Sequence, residues 1–308
     1  MKIIFQKLKL FFQNSNYRFK VLQNHNLLNW VPDNFMLKLL FKQRLGISLN
    51  IKNPQTFNEK IQWLKLYDRN PLYTTMVDKY KVKEYIANMI GREYIIPTLG
   101  VWYKVEEINF DKLPNQFVLK TTHDSGGIVI CKDKNNFDKQ QAKEKLSRSL
   151  KRNYYYHGRE WPYKYVKPRI IAEQYMEDKE TKELRDYKFF CFNGMPKILF
   201  VASDRQNSNE ETKFDFYDIN FNHLPFTNGH PNSKKSIEKP QNFELMKQLA
   251  NKLSQDIPHV RVDFYEINGR VYFGELTFSH WSGFMPFSPC EWDKKIGDWL
   301  VLPKKKSS

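Results

Sequence analysis

The chain has 308 residues, which suits one multi-lobed protein or two domains. Aromatic residues make up 16% of it, so it can bury a sizeable core, and this composition excludes a disordered protein. Its formal net charge of +16 predicts polyanionic partners, namely nucleotide phosphates, acidic sugars, nucleic acid or an anionic membrane surface.

Cysteine usage and hydropathy indicate a cytoplasmic protein. Cys131, Cys191 and Cys290 lack metal-ligand spacing, and an odd number of cysteines argues against a disulfide framework. The sequence has no run of about 18 apolar residues that would predict a transmembrane helix. Lysines at positions 2, 7 and 9 interrupt the apolar start of the chain, which therefore does not match a secretory signal.

The first 92 residues predict a helical region. Residues 1–31 are basic and amphipathic, so they can lie on an anionic membrane or pack on their own domain, and the second interpretation is favoured. Thr56 and Glu59 form a capping-box pattern at the start of a later helix. Three further helices are predicted within residues 33–44, 53–67 and 78–90, with glycines at 46 and 91 as stop signals.

From residue 94 onward, short apolar runs alternate with polar turns. Strands are predicted over residues 94–101, 117–120, 128–131, 169–176, 184–193, 196–204, 213–219, 259–266 and 270–277. Helices are predicted over residues 138–152, 240–255 and 291–300, followed by a basic tail at residues 304–306. The whole pattern indicates a mixed α+β protein.

Residues 117–131, FVLKTTHDSGGIVIC, read as a strand, a polar loop and a second strand. The adjacent glycines Gly126 and Gly127 free the backbone, so several N–H groups can converge on one anion. Lys120 adds a positive charge where a phosphate would lie. An ordinary hairpin with a glycine turn and a surface lysine is an equally good interpretation of this stretch alone.

Residues 260–277 predict a second hairpin, turning at Asn268 and the glycine after it. Side chains two residues apart share one face of a strand, so Arg261 and Asp263 lie together, and Glu275 faces Asp263 if the strands pair. Two carboxylates on one face repel each other unless a cation lies between them, and Mg²⁺ suits such a site. The alternative is an exposed hairpin whose charged face is simply solvated.

Residues 153–169, NYYYHGREWPYKYVKPR, interleave aromatic and basic side chains. Such a segment can stack on nucleobases or sugar rings, or it can pack as a loop. No strict repeat supports nucleic-acid binding, which is therefore not predicted.

Together these stretches resemble the ATP-grasp superfamily, and in particular the TupA-like ATP-grasp proteins of bacterial surface-polysaccharide clusters. The resemblance runs in order over about residues 35–302. It is carried by NPQTFNEKIQWLKLYDRNPLY, VDKYKVKEYI, IIPTLGVW, LPNQFVLKTTHDSGGIVICKDK, KRNYYYHGREWPYK, IIAEQYMED, DYKFFCFNG, VRVDFYEINGRVYFGELTF and EWDKKIGDWL. It implies an ATP-grasp region over residues 93–308, with a nucleotide held between two α+β lobes at about 93–172 and 177–302.

The resemblance also implies the roles of individual residues. It makes Lys120 and Arg261 catalytic and Asp263, Glu275 and Thr277 magnesium ligands. The implied ATP-binding residues are Lys79, Lys120, His123, Asp124, Ser125, Gly126 and Gly127, with Glu173, Gln174, Tyr175 and Met176 holding the adenine and Asp186 as a ribose contact. Relatives such as D-alanine–D-alanine ligases carry Asn where this chain has Thr277, a weaker ligand. His280 is a candidate base, but as a lone histidine beside a tryptophan it is better explained by packing or hydrogen bonding.

The function that the resemblance implies is ATP-dependent carboxylate–amine ligation through an acylphosphate, with ATP and Mg²⁺ as cofactors. The carboxylate is expected on a uronic acid or amino acid of a capsule, O-antigen or teichuronic-type polysaccharide, with a small-molecule or glycan substrate and an amine as partners. A sugar kinase on the same fold, a glycosyltransferase and a non-catalytic binder of acidic glycan remain alternatives. Peripheral contact with the inner membrane is a further expectation, and the oligomeric state stays open.

Overall fold

A computed structural model of the chain describes residues 2–179, 184–204 and 211–305, so Lys306 of the predicted basic tail lies outside the described residues. The helices are α1 (Lys2–Gln13), α2 (Ser15–Asn24), α3 (Asp33–Leu45), α4 (Phe57–Tyr67), α5 (Leu72–Val77), α6 (Lys81–Ile90), α7 (Lys139–Leu150), α8 (Tyr155–Gly158), α9 (Phe243–Leu253) and α10 (Glu291–Trp299). The strands are β1 (Thr98–Trp102), β2 (Phe117–Thr121), β3 (Ile128–Cys131), β4 (Ile170–Gln174), β5 (Asp186–Phe192), β6 (Met195–Ser203), β7 (Lys213–Asp218), β8 (Thr227–Asn228), β9 (His259–Ile267), β10 (Arg270–Thr277) and β11 (Phe287–Ser288).

The larger sheet is antiparallel, with the strand order β10-β9-β5-β6-β7. Strand β5 is buried along its whole length, and its alternate side chains enter two different cores. Phe189 and Cys191 join the core formed with α5, α6 and α9, whereas Phe190 and Phe192 join the core formed with α4 and α10. Helices therefore cover both faces of this sheet, which agrees with the predicted α+β class.

The smaller sheet has the antiparallel order β1-β4-β2-β3. Its buried residues form a separate core with α7 and the segment before β2, and they include Phe117 and Leu119 of β2 and Leu146 of α7. The predicted hairpin of residues 117–131 is confirmed, with Lys120 of β2 opposite Ile128 of β3. Each sheet thus has its own core, and the loop between β2 and β3 projects from the smaller one.

Helices α4, α5 and α6 of the N-terminal region pack on the larger sheet. Helix α4 begins at the predicted capping box, in which Thr56 accepts from the Glu59 N–H and Glu59 accepts from the Thr56 N–H at 3.2 Å. Its Phe57 and Ile61 enter the core beside Phe190. The predicted boundary of this region at residue 92 stays a prediction.

Two expectations for this region were wrong. Helix α6 begins at Lys81, because the Asp78 carboxylate accepts from the N–H groups of Tyr80 and Lys81 and ends the preceding turn. Helix α1 does not bury an apolar face, since Phe5 is 76% exposed and Phe12 is 72% exposed. Within the described residues, no helix is both long and apolar enough to cross a bilayer.

Candidate active site

Three adjoining cavities lie where the two sheets meet the N-terminal helices. An apolar chamber of about 170 Å³ is lined by residues that include Ile96, Val118, Ile130, Tyr175, Met176 and Leu184. A polar chamber of about 180 Å³ is lined by residues that include Lys79, Lys83, Lys120, Asp186, Lys188 and Glu275. An aromatic chamber of about 410 Å³ is lined by residues that include Tyr154, Tyr163, Phe200, Phe214, Arg261 and Trp281.

Shared lining residues show the order of the chambers. Lys120, Ile128 and Glu173 line both the apolar and the polar chambers. Lys188 and Glu275 line both the polar and the aromatic chambers. The polar chamber therefore lies in the middle, between an apolar end and an aromatic end.

A buried carboxylate organises the boundary between the apolar and polar chambers. Glu173 of β4 pairs with Lys120 Nζ at 2.6 Å and with Lys83 Nζ at 2.5 Å. Burial raises the pKa of Glu173, but Lys120 and Lys83 outweigh burial and lower it overall. Lys83 also donates to the Ile96 carbonyl at 2.8 Å.

Two side chains of the loop between β2 and β3, His123 and Asp124, anchor this loop. His123 Nε2 lies 3.0 Å from the Arg152 carbonyl and 3.2 Å from the Ser149 carbonyl. Asp124 accepts from Ser149 and, at 2.5 Å, from Thr121. Both side chains are buried and face α7, so they anchor the loop and do not line the chambers.

The tip of the loop is different, because Ser125 and Gly126 are exposed. Ser125 lines the polar chamber and donates to the Tyr154 hydroxyl at 3.1 Å. The Gly127 N–H donates to Asp124 at 3.1 Å, so this amide is engaged within the loop. Lys79, which lies just before α6, also holds the loop, because its ammonium donates to the Asp124 carbonyl.

The predicted adenine segment follows β4 directly. Gln174, Tyr175 and Met176 line the apolar chamber. Tyr175 donates to Glu177 at 3.1 Å, and this contact orients its ring beside the chamber. The apolar lining suits a flat heteroaromatic ring.

The second hairpin pairs as the sequence predicted, with Glu275 of β10 opposite Asp263 of β9 and Thr277 opposite Arg261. Arg261 forms a bidentate pair with Asp263, with both N···O distances at 2.7 Å. It also donates to Glu275 at 2.9 Å and to Thr277 at 3.1 Å. A single guanidinium therefore connects the four residues that the sequence selected on this hairpin.

Lys188 is a site residue that sequence reasoning missed. Its ammonium pairs with Asp263 and lies 3.4 Å from Asp186, two residues earlier on β5. The sequence does contain a signal for Lys188, because the two-residue spacing places Asp186 and Lys188 on one face of a strand. Asp186, the predicted ribose contact, lines the polar chamber from this position.

The Glu275 carboxylate is more accessible than that of Asp263. Its side chain is 40% exposed and lines the polar chamber. Burial raises its pKa, but Lys188, Arg261 and Lys79 lower it overall to about 2. Glu275 is therefore ionised throughout the physiological range.

These residues fit a magnesium ion that is shared with phosphate. Glu275 offers an accessible carboxylate beside the Thr277 hydroxyl, whereas both oxygens of Asp263 opposite it are already paired with Arg261 and Lys188. Among the described residues there is no group of three or more His, Cys, Asp or Glu side chains with metal-binding geometry. Mg²⁺ typically takes one or two carboxylates and completes its shell with water and phosphate oxygens, so this donor set suffices.

His280 is buried, and both of its ring nitrogens are engaged. Nδ1 lies 2.7 Å from Arg261 Nη1 and therefore accepts, and Nε2 donates to Asn228 Oδ1 at 3.0 Å. Burial and the Arg261 charge hold the pKa of His280 well below its ordinary value. His280 thus positions Arg261 and is not a free base.

The chain matches the model of the TupA-like ATP-grasp family over residues 59–301. It is therefore an ATP-grasp protein, as its two-sheet architecture and chambers indicate. It belongs to the TupA-like ATP-grasp family, which confirms the family predicted from the sequence. No curated protein sequence matches the chain.

Solved structures with a similar fold are distant in sequence. D-alanine–D-alanine ligase from Helicobacter pylori is 14% identical with a TM-score of 0.43, over 82% of this chain and 68% of that one. L-amino acid ligase from Bacillus licheniformis is 11% identical with a TM-score of 0.49, over 91% of this chain and 65% of that one. D-alanine–D-alanine ligase from Bacillus anthracis, complexed with ATP, is 13% identical with a TM-score of 0.39, over 74% of this chain and 68% of that one. The chain thus spans about two thirds of each, and the family assignment rests on the sequence match alone.

Proposed function

We propose that the protein joins a carboxylate to an amine at the expense of ATP, through an acylphosphate. The observation that carries this proposal is the order of the three chambers, with the Arg261 network where the second and third meet. In this order a nucleobase, a triphosphate and an acceptor can lie side by side. The family membership supports the same nucleotide.

We assign the phosphates of ATP to the polar chamber. Lys79, Lys120 and Lys188 line it, and cations there offset the charge of the transferring phosphoryl group. Mg²⁺ on Glu275 and Asp263 would supply further charge neutralisation when it is bound. Arg261 lines the aromatic chamber and contacts Glu275, so it is suited to orient the attacking carboxylate beside the γ-phosphate.

We assign the carboxylate substrate to the aromatic chamber. Tyr154, Phe214 and Trp281 give it flat walls of the kind that stack on sugar rings, and Arg44, Arg261, Lys79 and Lys188 give it an excess of positive charge. This combination favours an acidic sugar or an amino acid attached to a glycan. A bacterial surface polysaccharide is the proposed setting, and the cytoplasmic face of the membrane is the proposed place.

The test combines the protein with MgATP, pools of uronic acids and amino acids, and hydroxylamine. An acylphosphate reacts with hydroxylamine to give a hydroxamate, with release of ADP and phosphate. Lys120→Ala and Asp263→Asn should each lower this rate by about 100-fold or more, since each removes a charged contact to the phosphates or the metal. Lys112→Ala, at an exposed lysine outside the chambers, is the matched control.

Three other outcomes would contradict the ligase. Phosphate that stays on a sugar product would indicate a kinase, and AMP with pyrophosphate would indicate an adenylate route. Glycan binding without any ATP turnover would indicate a non-catalytic binder.

A further inference from the structure

Glu160 is one of two carboxylates that line the aromatic chamber. Glu160 follows α8 in the aromatic and basic segment, and only 4% of it is exposed. It was not among the residues predicted from the sequence. The chamber's other carboxylate, Glu275, is already bound to Arg261 and Thr277.

The hydrogen bonds of Glu160 leave one of its oxygens available. Ser282 donates to Oε1 at 2.5 Å, and within the part of the chain that the structure describes this is the carboxylate's one hydrogen-bond partner. Lys65 lies nearby, but its three protons go to Gln62 Oε1 and to the carbonyls of Gly158 and Ser282, at 2.6 to 3.0 Å. The second oxygen of Glu160 is therefore free to bind a ligand in the chamber.

Charged and titratable groups surround Glu160 from every neighbouring element. They are Lys65 of α4, Arg44 of α3, Tyr154, Tyr163, His157, Arg261 of β9 and Glu275 of β10. Burial raises the pKa of Glu160, and Lys65, the Ser282 hydrogen bond and Arg261 oppose that rise. A carboxylate in this environment holds a proton more readily than the ionised Glu275.

We propose that Glu160 is a catalytic residue that binds the amine substrate's ammonium group and takes a proton from it. The inference rests on the proposed ligase function and names the group that activates the second substrate. The site would accept a primary ammonium attached to a small or sugar-like body. Glu160 and Arg261 line the same chamber, so an amine held by Glu160 can face an acyl group that Arg261 orients.

Amide formation in this site conserves atoms and charge. Glu160 removes one proton from the ammonium, and the nitrogen lone pair then attacks the acylphosphate carbonyl. A C–N bond forms, the C–O bond to phosphate breaks, and phosphate leaves with its electron pair. The departing phosphate takes the second nitrogen proton, and Glu160 returns its own proton to solvent.

The alternative role of Glu160 is structural, in which its carboxylate only balances the charge of the buried Lys65 ammonium. The two roles predict different behaviour toward hydroxylamine, which is uncharged at neutral pH and needs no base. Glu160→Gln keeps the shape and an acceptor for Ser282. If Glu160 acts on the amine, this variant should lose about 100-fold or more in amide formation, while hydroxamate formation changes by less than about threefold.

The experiment measures both products with wild type, Glu160→Gln and Glu160→Asp, with melting curves as the test of folding. The Asp variant keeps the charge, so it should retain more amide formation than the Gln variant and keep the wild-type pH profile. Equal loss of amide and hydroxamate, or retention of both, would overturn the proposal. Absence of hydroxamate with wild type would instead refute the proposed ligase function.

A second measurement does not depend on the substrate or on folding of a variant. A hydrophobic carbodiimide modifies protonated carboxyl groups, and peptide mass spectrometry locates the products. At pH 6 we expect Glu160 to be modified ahead of Glu173 and Glu275, whose neighbouring cations keep them ionised. Methylammonium should slow the modification of Glu160. Failure to modify Glu160, or modification unaffected by methylammonium, would contradict a reachable amine site.

Discussion

At the scale of single residues, the two adjacent glycines of the loop have different roles. A Cβ added to Gly127 would lie 1.9 Å from Thr121 Oγ1 and 2.4 Å from Ser149 Oγ. A Cβ added to Gly126 would find its nearest atom, on Arg152, at 3.9 Å. Gly127 is thus needed for the close approach of the loop to α7, whereas Gly126 has room for a side chain.

We therefore expect Gly127→Ala to weaken MgATP binding and to destabilise the fold by about 1–3 kcal/mol, the usual cost of overpacking. Gly126→Ala is the matched control, and its stability should stay within about 0.5 kcal/mol of wild type. Isothermal titration with MgATP and urea unfolding measure the two effects. Equal behaviour of the two variants would show that the contact with Thr121 and Ser149 does not hold the loop.

At the scale of secondary-structure elements, β9 begins inside the core with a histidine. His259 Nδ1 donates to the Cys191 carbonyl at 3.0 Å, and its ring packs against Phe57 and Phe192. Burial lowers the pKa of His259 to about 3. The strand that carries Arg261 and Asp263 is thus anchored by a neutral imidazole.

This anchor predicts acid sensitivity. Between pH 6.5 and about 3 the unfolded chain binds a proton at His259 and the folded chain does not, so acid favours unfolding. Through His259 alone, lowering the pH from 7.5 to 5 should reduce the free energy of unfolding by about 2 kcal/mol. His259→Asn should remove that component in urea unfolding at the two pH values. The exposed His25→Asn is the control, and an unchanged pH dependence in His259→Asn would contradict the assignment.

At the scale of the whole molecule, the net charge of +16 and the composition of helix α1 both favour binding to an anionic surface. The exposed Phe5, Leu8 and Phe12 of α1 lie among exposed Lys7 and Lys9. We propose that α1 brings the protein to an anionic membrane surface. Apolar side chains would enter the interface while the lysines contact lipid phosphates.

Binding to vesicles with anionic lipid should therefore be measurable by co-sedimentation and should weaken as salt rises. The double substitution Lys7→Glu and Lys9→Glu should weaken it by about tenfold or more, since each basic residue near the surface contributes about 1 kcal/mol. Lys145→Glu with Arg148→Glu on α7 makes the same change in net charge at exposed positions and is the control. Equal effects of the two pairs would mean that net charge alone drives binding.

Local patterns in the sequence determined much of the fold. The capping box of α4, the Asn–Gly turns and the alternation along β9 and β10 depend on neighbouring residues, so they could be predicted one by one. The facing of Glu275 and Asp263 depends in addition on a β-bulge between Phe273 and Glu275, because the register set by the turn alone would place Asp263 opposite Gly274. The family resemblance then supplied the ATP-grasp class.

Only the tertiary structure decided which charges share a cavity. Lys83 meets Glu173 from a different element, Lys188 meets Asp263 across two strands, and Glu160 reaches the aromatic chamber from a loop. The sequence also did not show that the side chains of His123 and Asp124 face α7 and do not line the chambers. The physical reason is that local hydrogen bonds and periodicity depend on near neighbours, whereas the partners of a buried charge are set by packing between distant segments.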